Sequence, residues 1–398
     1  MKNDLRAFTK DLFISEGFWG IYQKLDLTPD VRLDPFRTYV DNGINISHYS
    51  YISTLRADRP YEYHTRRKLP LISHLKKGED SFCRLIVGKL PSIVISRDLT
   101  QSKSPLSIEP LLENLSKTKV FSIINLFTPM ARVIPLRETI FQNNKSISRG
   151  IPLLHIFTEH YQAIEEVPIE EMVLYLKNII ATIEKSHQVL SEEKNSTTMV
   201  FHFYNIGANA GASIPHLHSQ TLLYEKGGHG WKDRSFFISF EKNKQQKKSY
   251  CLGCEHTNGL DFDLIGQQLK IEERIIWKDE NWIAFTAYAP ERDGHIRLLP
   301  KRHVSSLWEL KESEIVSLAK ALLVVNRFLS KFIKQYGEDL KILPDRNILF
   351  RQKHFGFTIP IHMFIDVIPV QQIGGAEMLD DHRLSHIFPE EAAKRMKL

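Results

Sequence analysis

The two halves of the chain repeat one order of chemical features, and this internal repeat limits the fold more than any other property of the sequence. Each half carries two potential metal ligands at positions i and i+3, then a histidine, a long helical pattern and a second histidine. The residues are Asp80, Cys83, His160 and His216 in the first half, and Cys251, Cys254, His303 and His362 in the second. The two histidines are 56 residues apart in the first half and 59 in the second. Two diverged copies of one α+β unit explain this order.

Hydrophobic patterns supply the secondary structure of each copy. Apolar residues recur at helical spacing over 168–190 and 312–337, which predicts a long helix in each half. Short apolar runs before and after these helices predict strands. The runs are RLIVG, SIVIS, VFSIINLF, ARVIPL, LLHIFT and TMVFHFYNIG, followed in the second half by WIAFTAYA, HIRLLP, NILFRQ and IHMFIDVIP. The predicted fold class is therefore α+β, with antiparallel strands and helices in each unit.

A polar segment separates the two copies. Residues 226–250 end in the charged run EKNKQQKKS and are expected to form a boundary. The sequence predicts a first domain over 31–238 and a second domain over 239–398. Residues 1–30 have an amphipathic helical pattern and are expected to form an N-terminal extension. Residues 57–80 are charged and rich in turn formers, which predicts a loop.

Composition favours small anionic ligands over nucleic acid. The net charge is +6 over 398 residues and is scattered along the chain, so we expect no nucleic-acid surface. Three cysteines, two of them in one CxxC, cannot build a disulfide framework and suit a reducing compartment. The N-terminus lacks the apolar core of a signal peptide, and no stretch approaches about 20 uninterrupted apolar residues. These features predict a cytoplasmic protein without a membrane span.

The second half carries the pattern of a structural zinc site. A CxxC places two thiolates on one metal ion, and two distant imidazoles complete a tetrahedron. The ligands that fit this rule are Cys251, Cys254, His303 and His362. His256 and His295 are rival ligands, and the alternative is a pair of buried thiols with surface histidines. A DNA-binding zinc finger is not expected, because a whole helix separates His303 from His362.

The first half carries a pattern for chemistry on phosphorus in the segment NAGASIPHLHSQ, residues 209–220. On a strand, His216, His218 and Gln220 share one face and Leu217 points into the core. A neutral imidazole is a good nucleophile toward phosphorus when its other nitrogen is held by an acceptor. An amide or hydroxyl nearby can stabilise the charge that develops on phosphate oxygens. The small residues at 211–213 form a tight turn where backbone N–H groups can approach an anion.

The complete pattern N-x-G-x-x-A-G-A-S-x-x-H-x-H-x-Q over 205–220 resembles the signature of the galactose-1-phosphate uridylyltransferase family. This family is a branch of the histidine-triad superfamily that includes ADP-glucose phosphorylase-like enzymes. Further stretches resemble the family in the same order, so the resemblance covers roughly residues 30–398. These stretches are VRLDPFRT with RADRP, SIINLFTP, CLGC with PKRH and IHMFIDVIP, and GGAEM with FPEEAAKRM.

The resemblance implies a mechanism with His218 as the nucleophile. His218 would take a nucleoside monophosphate from a nucleoside diphosphate hexose as a phosphoramidate, and a hexose-1-phosphate would then collect it. Gln220 and Ser213 would assist at the phosphate oxygens. The implied substrate-binding residues are Arg56, Arg59, Asn125, Asn205, Gly211, Ala212 and Glu377. The implied zinc ligands are the four second-half residues and, in the first half, Asp80, Cys83, His160 and His216. The position equivalent to His218 in the second half is Phe364, so that copy has lost the nucleophile.

Departures from the family pattern leave alternatives open. The family commonly has a second CxxC where this chain has Asp80 and Cys83, so the first site either binds metal through one Asp, one Cys and two histidines or is metal-free. Ala376 stands before Glu377 where an aromatic residue is common, so the sugar is not fixed. The leading activity is UDP-glucose:hexose-1-phosphate uridylyltransfer in galactose metabolism. An ADP-glucose phosphorylase-like adenylyltransferase that uses phosphate is the close alternative, and a non-catalytic nucleotide-binding scaffold is the alternative from another class. The expected partners are nucleotide-sugars and sugar-1-phosphates, and a homodimer is a further expectation.

Overall fold

A computed structural model describes most of the chain. The described residues are 30–41, 44–52, 80–101, 111–125, 131–132, 149–190, 198–225, 229–230, 251, 253–254, 260–262, 268–357, 361–380 and 383–398. Within this part of the chain, no helix is long and apolar enough to cross a membrane. The predictions for 1–29 and for most of 57–80 lie outside the described residues.

Strands and helices follow one another in an α+β order. The first-half strands are β1 (Asp30–Asp41), β2 (Ile44–Ile52), β3 (Val94–Arg97), β4 (Thr100–Gln101), β5 (Val120–Ile124), β6 (Ala131–Arg132), β7 (Arg149–Phe157), β8 (Thr198–Ile206), β9 (His218–Glu225) and β10 (His229–Gly230). The second-half strands are β11 (Leu260–Phe262), β12 (Gln268–Lys270), β13 (Ile275–Lys278), β14 (Trp282–Thr286), β15 (Ile296–Pro300), β16 (Ile342–Arg351) and β17 (Phe364–Gln371). The helices are α1 (Ser81–Ile86), α2 (Ile169–Leu190), α3 (Glu312–Leu340), α4 (Gly375–Asp380) and α5 (Pro389–Lys397).

One large sheet contains both copies of the repeat. Its strand order is β13-β14-β15-β17-β16-β8-β9-β7-β5-β3-β4, with β6 beside β7. From its outer edge inward, the second half reads β13, β14, β15, β17, β16. The first half has one extra edge strand, β4, and then reads β3, β5, β7, β9, β8 in the same topology. The long helices α2 and α3 occupy the same place in each copy, between the third strand and the strand at the centre. The duplicated α+β fold predicted from the sequence is confirmed.

The two copies join by antiparallel pairing of β8 with β16. Asn205 lies opposite Asn347 in this pairing, and Phe203 lies opposite Leu349. Strand β9 then lies between β7 and β8, so the segment with the HxHxQ pattern is close to the centre of the sheet. The domain boundary at 238 remains a prediction.

The long helices cover the sheet with one apolar face each. In α2 the fully buried apolar residues share one face, as an amphipathic helix against a sheet requires. They are Met172, Tyr175, Leu176, Ile179 and Ile183. This side chain layer and its counterpart on α3 belong to one continuous core. The core therefore fixes α2 directly behind strands β5, β7 and β9.

Three local predictions need correction. The run RLIVG was expected to be a strand, but residues 81–86 form helix α1. The Asp80 carboxylate caps this helix by accepting a hydrogen bond from the N–H of Cys83 at 2.9 Å. Strand β9 begins at His218 and β17 begins at Phe364, so His216 and His362, the histidines predicted as metal ligands, precede the strands on which they were predicted to lie. The other predicted strands coincide with described strands wherever the structure describes them.

Candidate active site and metal centres

Four second-half side chains meet at one point. The Sγ atoms of Cys251 and Cys254 lie 3.4 and 3.5 Å from Nδ1 of His303, and both lie 3.7 Å from Nδ1 of His362. All the ligand atoms lie within 4.8 Å of one another. Bond lengths of about 2.3 Å for Zn–S and about 2.0 Å for Zn–N give ligand–ligand edges of roughly 3.5 Å in a tetrahedron. The cluster therefore has the size of a tetrahedral zinc site.

Hydrogen bonds around this cluster favour the tautomer and the ionisation state that metal binding requires. Nε2 of His362 donates to the carbonyl oxygen of Pro300 at 2.8 Å, so Nδ1 keeps its lone pair for a ligand bond. Burial opposes ionisation of the Cys251 thiol, but hydrogen bonds with His303 and His362 outweigh it and lower the pKa of Cys251 to about 5. A thiolate is the form that binds zinc. Of the two rival ligands, His295 lies apart with its Nε2 3.0 Å from Asp366, and His256 is outside the described residues.

The first half builds a similar cluster with a carboxylate in place of one thiolate. The Sγ atom of Cys83 lies 3.4 Å from Nδ1 of His160 and 3.7 Å from Nδ1 of His216. The Asp80 oxygens lie 2.8 Å from Nδ1 of His160 and 3.5 Å from Nδ1 of His216. These four ligand atoms also lie within 4.8 Å of one another. A carboxylate and a thiolate together carry the same two negative charges as two thiolates, so this donor set also suits a divalent cation.

The two clusters share one orienting contact. Nε2 of His216 donates to the carbonyl oxygen of Phe157 at 2.8 Å, as Nε2 of His362 does to Pro300. Phe157 and Pro300 are the last residues of β7 and β15, which are equivalent strands of the repeat. Burial alone would raise the pKa of the Asp80 carboxyl, but its polar contacts with His160 and His216 hold that pKa well below its usual range. The repeat therefore preserves the geometry around the first cluster although one ligand type differs.

His218 lies beside the first cluster with one ring nitrogen fixed. Its Nδ1 donates to the carbonyl oxygen of His216 at 2.8 Å, so Nε2 holds the lone pair. The ring of Phe82 contacts the His218 ring edge-on, with centroids 5.0 Å apart. Burial lowers the pKa of His218 to about 4, and the hydrogen bond to His216 only partly opposes this. The imidazole is therefore neutral near pH 7, with a defined tautomer.

Alternate residues of β9 have different surroundings. Ser219 faces helix α2, where its backbone N–H donates to the hydroxyl oxygen of Tyr175 at 2.9 Å. Thr221 is also fully buried on that side. By the alternation of a strand, His218 and Gln220 face away from the helix. Helix α2 thus holds the back of the strand whose other face carries the two residues predicted to act on phosphate.

A buried polar network lies between β9 and α2, and sequence analysis did not find it. Nδ1 of His155 lies 2.7 Å from the Ser122 hydroxyl, and Nε2 lies 2.8 Å from the hydroxyl of Thr221. Asn178 on α2 donates to Ser122 at 2.8 Å. Burial lowers the pKa of His155 well below its ordinary value, so its ring remains neutral. The network joins three neighbouring strands to the helix without a net charge.

The loop between β8 and His216 is folded tightly on itself. Gly207 and Gly211 have φ angles of +89° and +95°, a region that L side chains rarely adopt. The N–H groups of residues 210–212 donate to backbone carbonyls within the loop. The N–H of Asn209 donates to Oδ2 of Asp345 at 2.6 Å. These four N–H groups already have hydrogen-bond partners. An anion bound here would therefore accept hydrogen bonds from side chains rather than from these backbone groups.

Comparisons with known proteins agree with the fold. The family described as "Scavenger mRNA decapping enzyme C-term binding" matches residues 264–345. A galactose-1-phosphate uridylyltransferase of Thermotoga maritima is 22% identical over 264 residues, which are 64% of this chain and 75% of that protein. An ADP-glucose phosphorylase of Arabidopsis thaliana is 24% identical over 224 residues, which are 55% of this chain and 56% of that protein. A solved structure of an Arabidopsis thaliana ADP-glucose phosphorylase with bound ADP-glucose has a TM-score of 0.59 and 19% identity, and the match covers 93% of this chain and 99% of that one.

The chain is thus similar to galactose-1-phosphate uridylyltransferases and to an ADP-glucose phosphorylase, and it shares the fold of the solved phosphorylase structure. The remaining residues that the resemblance assigns to substrate lie in several places on this fold. Asn205 is on β8, and Asn125 follows β5, with its N–H donating to Pro152 at 2.8 Å. Ser213 lies just before His216, beyond the loop glycines. Arg56 and Arg59 lie outside the described residues.

Glu377, the predicted sugar-binding residue, already has a partner. It lies on α4 and is nearly buried, and its Oε1 accepts a hydrogen bond from Nη1 of Arg292 at 2.7 Å. Its Oε2 accepts from the N–H of Gly374 at 3.2 Å. The carboxylate therefore helps to hold the start of α4 in the described structure.

Proposed function

We propose that this chain is a nucleotidyltransferase that moves a nucleoside monophosphate between a nucleoside diphosphate hexose and a hexose-1-phosphate through a covalent nucleotidyl-histidine at His218. The hydrogen bond from Nδ1 of His218 to the His216 carbonyl carries this proposal. It holds the ring in one orientation and leaves the Nε2 lone pair for attack. A histidine with a purely structural role does not need this tautomer on a strand face turned away from the core helix.

The reaction has two displacements on phosphorus. First, Nε2 forms a bond to the α-phosphorus of the donor, the bond from that phosphorus to the bridging oxygen breaks, and sugar-1-phosphate leaves with the electron pair. Second, a phosphate oxygen of the acceptor attacks the same phosphorus and the N–P bond breaks. The free ring is restored with Nδ1 still donating to the His216 carbonyl.

Gln220 and Ser213 are proposed to donate hydrogen bonds to the phosphate oxygens in both steps. Gln220 is two residues after His218 on the same strand face, and Ser213 ends the loop that leads to it. Because the neighbouring loop N–H groups are paired, these two side chains supply donors where negative charge increases. The residues that we propose to contact the nucleotide are Asn125, Asn205, Arg56 and Arg59.

Both ligand clusters are proposed to bind zinc. The second site would use Cys251, Cys254, His303 and His362, and the first would use Asp80, Cys83, His160 and His216. When bound, zinc supplies a structural cross-link between segments that are distant in sequence. His216 then fixes the position of the carbonyl group that holds His218, so the first site would support the nucleophile without contacting substrate.

Two donor and acceptor pairs compete within this mechanism. UDP-glucose with a hexose-1-phosphate such as galactose-1-phosphate is the leading pair, supported by the likeness to the uridylyltransferase of Thermotoga maritima. ADP-glucose with inorganic phosphate is the second, supported by the likeness to the phosphorylase of Arabidopsis thaliana. Both pairs use the same attack by His218 and differ in the base and the acceptor.

Product analysis with each pair tests the function. The purified chain is incubated with UDP-glucose and galactose-1-phosphate, and separately with ADP-glucose and phosphate, and nucleotides and sugar phosphates are separated by anion exchange. We expect UDP-galactose with glucose-1-phosphate from the first pair, or ADP with glucose-1-phosphate from the second. A His218→Asn variant should form neither, and a His386→Asn variant, altered at an exposed histidine outside both ligand clusters, should keep the wild-type rate. Nucleoside monophosphate without acceptor would indicate a hydrolase, and no product with normal binding would favour the scaffold alternative.

A further inference from the structure

The second half of the chain holds the loop of the first-half site. Asp345 and Asn347 lie on β16, the strand that pairs with β8 at the centre of the sheet. Oδ2 of Asp345 accepts hydrogen bonds from the backbone N–H and side-chain Nδ2 of Asn209 at 2.6 and 2.7 Å. Nδ2 of Asn347 donates to the carbonyl oxygen of Ala210 at 3.0 Å. Two side chains of the copy that lacks the nucleophile therefore fix the loop that leads to His218.

The approach of Asp345 explains why this loop begins with a glycine. A Cβ atom on Gly207 would lie 2.3 Å from Cγ of Asp345, far inside van der Waals contact. Asp345 is almost fully buried, and this burial raises the pKa of its carboxyl although the Asn209 hydrogen bonds oppose the rise. The polar groups of Asn209 therefore provide the partners that a buried carboxyl group requires.

Asn347 also determines which way the amide of Asn205 faces. The carbonyl oxygen of Ala210 can only accept a hydrogen bond, so Asn347 must present its amide nitrogen there. The same nitrogen lies 2.8 Å from the side chain of Asn205, which must therefore present its oxygen, Oδ1. The amide nitrogen of Asn205 is then turned the other way, toward Gly211, where an added Cβ atom would lie 3.4 Å from this Nδ2.

We propose that Asn347 is a positioning residue that makes Asn205 a hydrogen-bond donor toward the bound nucleotide. Asn347 does not contact substrate, and its effect passes through the orientation of one amide group. The ligand group that suits this donor is an oxygen acceptor, either a phosphate oxygen or a ribose hydroxyl. The inference rests on the proposed function only in taking the ligand to be a nucleotide.

Equilibrium binding of UDP and of ADP to the full chain tests the proposal. Asn347→Asp replaces the amide nitrogen by an oxygen, so Asn205 should turn its own Nδ2 toward residue 347 and present Oδ1 to the ligand. We expect binding of the preferred nucleotide to weaken about ten-fold or more. Asn281→Asp makes the same chemical change at a half-buried asparagine that donates to Ser313 at 3.4 Å, and it should leave binding unchanged.

A double-mutant cycle separates this role from a general structural effect. In an Asn205→Ala background the group that Asn347 orients is gone, so Asn347→Asp should change affinity by less than about two-fold. Wild-type affinity in Asn347→Asp, or the same large loss in both backgrounds, would overturn the proposal. If Asn347→Asp fails to fold, Asn347→Ala removes the donor without adding charge, and the affinity should fall in the same direction.

The outcomes distinguish this inference from the proposed function. If the wild-type chain binds a nucleotide but transfers nothing, the proposed transfer reaction is wrong. The double-mutant cycle of Asn347 and Asn205 still tests the positioning role, because it measures binding alone. If transfer occurs and Asn347→Asp binds normally, only the positioning role is wrong. If the wild-type chain binds neither UDP nor ADP, the inference is overturned, because Asn205 has no nucleotide to contact.

Discussion

The hydroxyl group of Tyr175 links the backbone of Ser219 to the backbone of His155. It accepts from the N–H of Ser219 at 2.9 Å and donates to the carbonyl oxygen of His155 at 2.8 Å. His155 and Ser219 are paired residues of β7 and β9. A helix side chain thus connects two paired strands, one residue after His218.

Tyr175→Phe should therefore weaken both the fold and the site. The substitution leaves a buried N–H and a buried carbonyl without this partner, and we expect a loss of about 1–3 kcal/mol in the free energy of unfolding. Because the affected N–H belongs to the residue after His218, nucleotide transfer should also slow. Denaturant unfolding and the transfer rate measure the two effects. Tyr336→Phe is the control, and an equally small change in both variants would contradict the role of the Tyr175 hydroxyl.

Metal content should follow the two ligand clusters separately. We expect two zinc equivalents per chain in the wild type, one in Cys254→Ser and one in Asp80→Asn, measured by elemental analysis of the purified protein. Asp80→Cys replaces the carboxylate by a thiolate, so this variant should still bind two zinc equivalents. If Asp80→Asn retains two equivalents, Asp80 is not a ligand. If the wild type holds one, the first cluster is maintained by hydrogen bonds alone.

Gly207→Ala should be strongly destabilising. The new methyl group would lie 2.3 Å from Asp345, and the residue has a φ of +89°. These two effects should cost at least about 2 kcal/mol in thermal unfolding experiments. Gly375→Ala is the matched control, since nothing lies within 4 Å of its added Cβ. Similar melting temperatures for the two variants would show that the loop can move away from Asp345.

Local patterns in the sequence predicted much of the candidate site. The alternation of HxHxQ placed His218 and Gln220 on one strand face, and the repeat grouped the two sets of ligands that the structure brings within 4.8 Å. The run RLIVG was misread because the strand propensity of its residues is weaker than the effect of Asp80 as a helix cap. A strand pattern of five residues cannot reveal a cap that precedes it by four positions.

The residues that support the site could not be found from local patterns. Asn347 and Asn205 are 142 positions apart and meet only because β16 pairs with β8. Tyr175 resembles any aromatic residue on the buried face of a helix, and its hydroxyl matters only through the exact neighbours on β7 and β9. His155 lies within a predicted strand, but its partners Ser122 and Thr221 depend on the strand order. Strand order is a long-range property that one sequence does not display.

Stability in acid should depend on Asp366. Burial would raise the pKa of its carboxyl, but Arg297 and His295 outweigh burial and hold that pKa well below its usual range. The unfolded chain therefore takes up a proton first, so this stabilisation is present at neutral pH and is lost as the pH falls below about 4. Asp366→Asn should cost about 3 kcal/mol at pH 7 and less at pH 3. Acid unfolding curves measure this, with exposed Asp339→Asn as the control, and a pH-independent loss would contradict the assignment.

Intact-protein mass spectrometry after mixing the chain with UDP-glucose, and separately with ADP-glucose, tests the central claim about His218 most directly. No acceptor is added, so the second displacement cannot remove the nucleotide. We predict an acid-labile mass gain of one UMP or one AMP that is absent in His218→Ala, and the donor that gives it identifies the base. The absence of an adduct from both donors, when both bind, would contradict a covalent nucleotidyl-histidine.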